Sequence, residues 1–399
     1  MIVCPLSLCI FGLKRIMCTF FGTWTHHITH QTSKLEVQIL RTAPRPLPKK
    51  KIIANTTNMS LQERRLRDQY EQLLRPKRSN GKPRARYEKL RRLVVLKGIP
   101  AESTHESSTH LTHCSLRGRV WKMLLGVQVV NAQEYLYQVQ RKTSTEMSIK
   151  IEKDIERTLK NNVVYHQRVS DNQLRRVLNA YVNSTEKEEH LPIDPRKRRR
   201  NNTEANTSVS SGPTVHSGLY VQGMNVLAAP FLYVMNELDG YACFGRLLNH
   251  HCPQYITKDL HGAQQAARLL QEIVMFIDPE LGTHMTTTYH GDWGSVTSLP
   301  TLLSFSADKP CERLDELLKL WDVLFALGVH MNVLFVAAHM MTLRDLLLNG
   351  DHGLLQATLC VHKDLPPLDA NLLISLALHI VGKLPEELYC RLECHPYCK

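Results

Sequence analysis

Beyond Gly98 the chain is a succession of stretches whose apolar residues recur every three or four positions, and this period is the strongest limit on what it can fold into. "SLRGRVWKMLLG", "AQEYLYQVQ", "DNQLRRVLNAYV", "NVLAAPFLYVMNEL", "AQQAARLLQEIVMFI", "RLDELLKLWDVLFAL", "NVLFVAAHMMTLRDLLL" and "ANLLISLALHIVGKL" all carry it, separated by Gly, Pro and polar breaks. No strand ladder with its period of two is visible. The pattern predicts an all-α, multi-helix protein. At 399 residues the chain has room for roughly two to three domains, or for one large helical domain with appendages, and can bury a sizeable core.

Residues 321–348 stay apolar for a long way, but Asp322, Gly328, His330, Asn332 and His339 interrupt them. That suits two buried helices in a stack better than a membrane span. The net charge of +13 is uneven: up to Pro100 there are about 21 Lys and Arg against 5 acids, and about 29 against 32 afterwards. The folded body is therefore near neutral, and the basicity belongs to the first quarter of the chain. No recognised nucleic-acid module or interleaved aromatic platform accompanies those charges, so a nucleic-acid partner is not expected.

The eleven cysteines are scattered without a disulfide framework and read as reduced thiols of the cytosol or nucleus. The tail "CRLECHPYC" gathers Cys390, Cys394, His395 and Cys398 but lacks the paired short-spaced knuckles of structural zinc, so helix packing and a frayed end are expected there, and no metal. The opening "MIVCPLSLCIFGLKRIMCTFFGTW" is apolar, has no acid before Glu36 and has the character of a mitochondrial-type presequence; its apolar run is too short to cross a bilayer.

Pro44, Pro46, Pro48 and the Lys49, Lys50, Lys51 triplet read as a solvated linker, and residues 1–58 as a disordered extension. A second start is compatible with Met59, because "SLQE" is a capping box: Ser60 is the N-cap and Glu63 reaches back. Residues 59–100 form a basic helical segment, broken by the solvated run "RPKRSNGKPRAR"; the main domain occupies 101–399. Within it, a tract low in apolar residues at about 184–217 reads as a disordered loop insertion, and its basic run Arg196 to Arg200 is compatible with nuclear access or with solvated loop charge.

Three short motifs stand in order: "RGRVW" at Arg117 to Trp121, "IEKDIER" at Ile151 to Arg157, and "YVQGM" at Tyr220 to Met224. In "IEKDIERTLK", Ile151, Ile155 and Leu159 make a helical stripe, and Asp154 and Arg157 stand three apart, the spacing of a surface ion pair worth a few tenths of a kcal/mol. Gln222 and Gly223 sit just ahead of a strongly apolar helix, where a glycine lets a backbone or partner come close. Asn225 is placed to cap that helix.

Together the motifs resemble the signature of the TBC domain, the all-helical fold of Rab-type GTPase-activating proteins, from about Leu93 to Pro396. "WGSVTSLPTLLSFS" and "LLKLWDVLFALG" look like later helices of that domain, and "YVQGMNVL", "RVLNAY" and "LPEELY" bring the chain nearest to the fungal mitotic-exit and septation checkpoint branch. The resemblance implies that Arg157 is a catalytic arginine finger and Gln222 a second, glutamine finger, lent in trans to a Ras-like or Rab-family small GTPase. The chemistry is sound in itself. Phosphoryl transfer to water needs positive charge where the γ-phosphate oxygens gain density, and an amide to orient the attacking water.

The resemblance further implies supporting roles. It gives Arg117 the bracing of the groove, with Trp121 as support; on the residues themselves, Asp154 is expected to hold the Arg157 guanidinium extended, and Tyr220, Gly223 and Met224 to aim Gln222. The protein needs no cofactor of its own, since GTP and Mg²⁺ are carried by the partner. An adaptor subunit completing a two-component activator, a cytoplasmic and spindle-pole location, and a role in restraining mitotic exit or septation are also implied. The alternative is a non-catalytic TBC scaffold that binds a GTPase and an adaptor. Two departures bear on this: Val221 stands where many relatives carry a basic residue, and the insertion separates the two fingers, which then converge only if it loops out.

Overall fold

The computed structural model describes residues 60–75, 83–101, 114–186, 219–307, 314–349 and 368–398, all within the compact unit Met59–Lys399. The readings of residues 1–58, of the run Arg196 to Arg200 and of most of "RPKRSNGKPRAR" fall outside these residues. No strand occurs among the described residues, and no helix there is long and apolar enough to cross a membrane.

The chain opens with α1 (Leu61–Leu74) and α2 (Pro83–Lys97), then α3 (Leu116–Leu124), α4 (Ala132–Gln140), α5 (Thr145–Ile155), the one-turn α6 (Val163–His166) and α7 (Asp171–Thr185). After the insertion come α8 (Met224–Val234), α9 (Glu237–Arg246), α10 (His261–Ile277), α11 (Pro279–Thr288) and α12 (Trp293–Leu303). The last group is α13 (Leu314–Leu327), α14 (Met331–Thr342), α15 (Arg344–Asn349), α16 (Ala370–Lys383) and α17 (Glu386–Cys394).

The helix starts follow their capping chemistry. Ser60 accepts from the Glu63 amide while the Glu63 carboxylate accepts from the Ser60 amide, the predicted capping box, and Ser170 with Gln173 repeats the device at α7. Two predicted helices are divided. The stretch from Asn225 stops at Val234, because Met235 is extended and Asn236 caps a new helix by accepting from the Asp239 amide. The stretch from Asn332 breaks at Leu343, which separates α14 from α15.

Two helices organise the stack. α8 packs on α3, α5, α7 and α9, while α13 packs on α2, α3, α14 and α16. Between them Trp121 meets Phe325 and Phe231 edge-on at 4.9 and 5.7 Å and Trp321 at 5.8 Å. Aromatic rings in offset and edge geometry add about 0.5–1.5 kcal/mol per pair beyond their buried area. The basic segment 59–100 is part of this unit: Tyr87 donates to the Leu124 carbonyl at 3.1 Å, Arg91 to the Ala326 carbonyl, and Arg119 pairs with Glu71.

Two buried histidines, His330 and His395, are held by tyrosines among the later helices. The Tyr255 hydroxyl and the His395 Nε2 lie 2.8 Å apart, and His395 Nδ1 bonds the Leu392 carbonyl at 2.6 Å. His330 meets the Tyr389 hydroxyl at 3.4 Å. Among the described residues no group of three or more His, Cys, Asp or Glu could hold a metal, and His395 of the "CRLECHPYC" tail serves packing.

Burial, with the neighbouring His395 and Arg91, holds His330 down to about 3, and burial holds His395 down to about 4. In the unfolded chain both imidazoles return to about 6.5, so below that pH the unfolded state binds more protons and stability falls. The slope approaches about 1.4 kcal/mol per pH unit for each ring. Thermal melts should therefore show a lower midpoint at pH 5.5 than at pH 7.5, above the range where paired carboxylates titrate, and a midpoint indifferent to pH across that window would contradict two neutral buried rings.

Candidate functional site

α5 starts where the Ser144 hydroxyl accepts from the Met147 amide and where Glu146 complements the helix dipole. It stops sooner than the apolar stripe predicts. The Arg157 amide bonds the Asp154 carbonyl at 3.2 Å and the Thr158 amide the Ile155 carbonyl at 3.0 Å, tightening the last turn, and Leu159 then takes a left-handed φ of 46°. The predicted stripe ends at Ile155, with Leu159 half-buried outside the helix. Arg157 stands in the exposed turn just past the helix end.

The expected Asp154–Arg157 ion pair is absent among the described residues. Asp154 is 8% exposed, and its Oδ2 accepts from the Tyr220 hydroxyl at 2.9 Å. This is a difference of direction: the carboxylate faces inward, while Arg157 faces solvent. Burial, with the Asp154 charge beside it, pushes the Tyr220 hydroxyl well above the usual phenol range, so it is a fixed donor at physiological pH.

The second finger position lies on a turn. The Met224 amide bonds the Val221 carbonyl at 3.1 Å and Gly223 has φ 98° and ψ −10°, the left-handed third position of a type II turn. A side chain at Gly223 would meet only Leu303 Cδ2, at an ordinary contact distance of 4.0 Å, but on a strained backbone, at a cost of about 1–2 kcal/mol. The turn leaves Gln222 exposed and sends Met224, 2% exposed, into the core.

Asn225 does not cap α8, whose N-cap is Gly223. Its amide nitrogen instead donates to the Asp154 carbonyl at 3.1 Å and to the Thr158 hydroxyl at 2.8 Å, and that hydroxyl donates to the same Asp154 carbonyl at 2.8 Å. Asp154, Thr158, Tyr220 and Asn225 are all buried. The network ties residues 154–158 to residues 220–225, so the chain segments carrying Arg157 and Gln222 meet across the insertion.

Arg117 and Trp121 belong to a different cluster. The Arg117 Nε donates to Asp322 Oδ1 and Oδ2 at 3.1 and 3.2 Å, and the Trp121 indole donates to Oδ1 at 2.7 Å. Burial raises the Asp322 carboxyl above its ordinary range, against the opposing pull of Arg117 and Trp121. Gly118 of the same motif is required by contact, since a Cβ there would lie 2.8 Å from the Val234 carbonyl oxygen at the end of α8.

Sequence reasoning missed Thr158 and Asn225 as partners, and Asp322 as the acceptor for Arg117. A polar residue one position into the α8 apolar run was the only available signal for Asn225. Arg117→Ala should cost about 3–5 kcal/mol in a denaturant melt, because it leaves a buried carboxylate unpaired; Arg157→Ala, at an exposed position, should change stability by less than about 0.5 kcal/mol. Asn225→Ala should cost about 1–3 kcal/mol and speed amide exchange in residues 156–161, since the buried Thr158 hydroxyl loses its donor and the Asp154 carbonyl loses one of its three.

The Rab-GTPase-TBC domain profile matches residues 114–348. The chain is 34% identical to the putative mitotic check point protein BUB2 of Dictyostelium discoideum, over 77% of this chain and 74% of that protein. It is 33% identical to cell division control protein 16 of Schizosaccharomyces pombe, over 77% of this chain and 88% of that protein. Mitotic check point protein BUB2 of Saccharomyces cerevisiae is 31% identical over 77% and 90% of the respective chains. The crystal structure of the Ypt/Rab-GAP domain of Gyp1p superposes with a TM-score of 0.56 at 18% identity, covering 80% of this chain and 97% of that one.

Proposed function

The chain belongs to the Rab-GTPase-TBC family, and from that membership we propose that it is a GTPase-activating protein that lends Arg157 and Gln222 to a GTP-loaded Ras-like or Rab-family small GTPase. The observation that carries this reading is the buried network of Asp154, Thr158, Tyr220 and Asn225, which holds two exposed, chemically suited side chains on neighbouring fixed turns. Preorganisation of this kind is what a donor of transition-state charge requires.

Arg157 supplies positive charge where the γ-phosphate oxygens gain density, and the Gln222 amide orients the attacking water. Asp154 serves by fixing the end of α5 through its carbonyl and by holding Tyr220 through its carboxylate. The protein contributes no cofactor; GTP and Mg²⁺ come with the partner. An arginine finger accounts for roughly 10³–10⁵ in rate, about 4–7 kcal/mol of barrier.

Identities of 31–34% to the two BUB2 proteins and cell division control protein 16 support a place in a checkpoint on mitotic exit or septation. An adaptor subunit and a site of action at the cytoplasmic spindle pole complete the proposal.

Single-turnover hydrolysis of GTP preloaded on a mitotic-exit-type Ras-like GTPase tests it, using the full chain with and without adaptor. Wild type should accelerate hydrolysis, Arg157→Ala should lose about 10³-fold or more while still binding, and Gln222→Ala should also lose activity. Tight binding with identical hydrolysis in all three proteins would leave a non-catalytic scaffold as the correct description.

A further inference from the structure

We propose that Val163 and Val164, on the one-turn helix α6, form the apolar docking contact for the GTP-loaded GTPase beside the Arg157 finger, and so help determine which GTPase is accepted. The inference rests on the GTPase-activator reading above and adds the residues that dock the partner.

Val163 and Val164 are 68% and 53% exposed although both are β-branched and apolar. α6 is firmly held beneath them. The Asn162 side chain accepts from the Tyr165 amide at 2.9 Å, the Val169 amide bonds the Tyr165 carbonyl at 2.9 Å, and the Tyr165 ring is 1% exposed. The structure thus anchors this single turn by Tyr165 and presents two stiff apolar side chains to solvent. Side chains with one favoured χ1 rotamer lose little entropy on docking, which suits an interface contact.

Position identifies the occupant. Val163 lies six positions after Arg157, at most about 20 Å away even if fully extended. The path is far from extended: it turns at Leu159 with φ 46°, and the Asn162 amide bonds the Leu159 carbonyl at 2.8 Å. A specific interface covers about 800 Å² on each partner, a patch roughly 30 Å across. A partner that receives Arg157 therefore has α6 within its footprint. The network of Asp154, Thr158 and Asn225 fixes the start of the same turn, so the docking residues and the finger are set by one rigid segment.

Charge supports the same partner. Lys153, Arg157 and Lys160 are exposed in residues 153–164, against the single exposed acid Glu156 there; Glu152 is engaged by Arg175, and the exposed Asp171 lies near Tyr165. An apolar spot in a segment of net positive charge matches a surface whose apolar contact residues border acidic groups and nucleotide phosphates.

The test compares full-length wild type, Val163→Asp/Val164→Asp, Val163→Ala/Val164→Ala, Val163→Ile/Val164→Ile and Arg157→Ala. Each is measured for steady-state acceleration on the GTP-loaded mitotic-exit-type GTPase, and for its Kd for the same GTPase carrying a non-hydrolysable GTP analogue. Melts check folding, which exposed positions should leave intact. The aspartate pair should raise KM and Kd by about 10-fold or more with kcat held within about 3-fold, the alanine pair should do so more mildly, and the isoleucine pair should stay near wild type. Arg157→Ala should show the opposite split, with low kcat and retained Kd.

Unchanged KM and Kd in the aspartate pair, with an active wild type, would overturn the docking role and leave the activator reading intact. Loss of adaptor binding alone would likewise overturn it, in favour of an adaptor surface. Weakened GTPase binding by the aspartate pair, with a wild type that binds without accelerating, would uphold the docking surface and sink the activator reading. A wild type that neither binds nor accelerates would overturn both.

Discussion

A single buried carboxylate holds the two halves of the helical stack in register. Asp322, 2% exposed, takes the Arg117 guanidinium and the Trp121 indole of α3 across 205 and 201 residues of sequence. Removing a charge from water costs several kcal/mol, and only near-ideal geometry with its lone pairs occupied repays it. Two donors on the same helix, one turn apart, meet that demand and can do so only when α3 lies at one height against α13. The aromatic cluster of Trp121, Phe231, Trp321 and Phe325 then forms around the fixed pair, and Phe231 brings α8 with it. The position of α8 in turn fixes the Gln222 turn at its N-terminus.

The candidate site is a consequence of that placement. α8 begins beside the end of α5, and Asn225, one residue inside α8, reaches the Asp154 carbonyl and the Thr158 hydroxyl. The buried side of this junction carries the hydrogen bonds of Asp154, Thr158, Tyr220 and Asn225, while its exposed side carries Arg157 and Gln222. In the proposed activator reading, an arginine free of an ion pair in its own chain has no such pair to break on docking. The inward turn of Asp154 toward Tyr220 leaves the Arg157 guanidinium uncommitted among the described residues.

Much of this was legible in the sequence. The helical period gave the fold class, the "SLQE" capping box gave the start of α1, and the three ordered motifs gave the family that the profile and the relatives at 31–34% identity support. The errors lay at helix ends. Leu159 continued the stripe of Ile151 and Ile155 by spacing, yet the chain turns before it, because a last turn tightened to i,i+3 bonds and a left-handed residue leave no trace in apolar periodicity. Asn225 looked like a cap because asparagine favours caps, and tertiary partners outweighed that propensity.

The sequence by itself determined which faces are apolar, where most helices start, and which residue types are available for phosphoryl-transfer chemistry, since these follow from local order and side-chain chemistry. Only the tertiary structure decided that Arg117 belongs with Asp322, that Asp154 belongs with Tyr220, and that the turns of Arg157 and Gln222 meet. The physical reason is that periodicity identifies a face to be buried but not the face it is buried against. Pairing of charges and buried amides over 66 to 205 positions is chosen by the packing geometry of the whole stack.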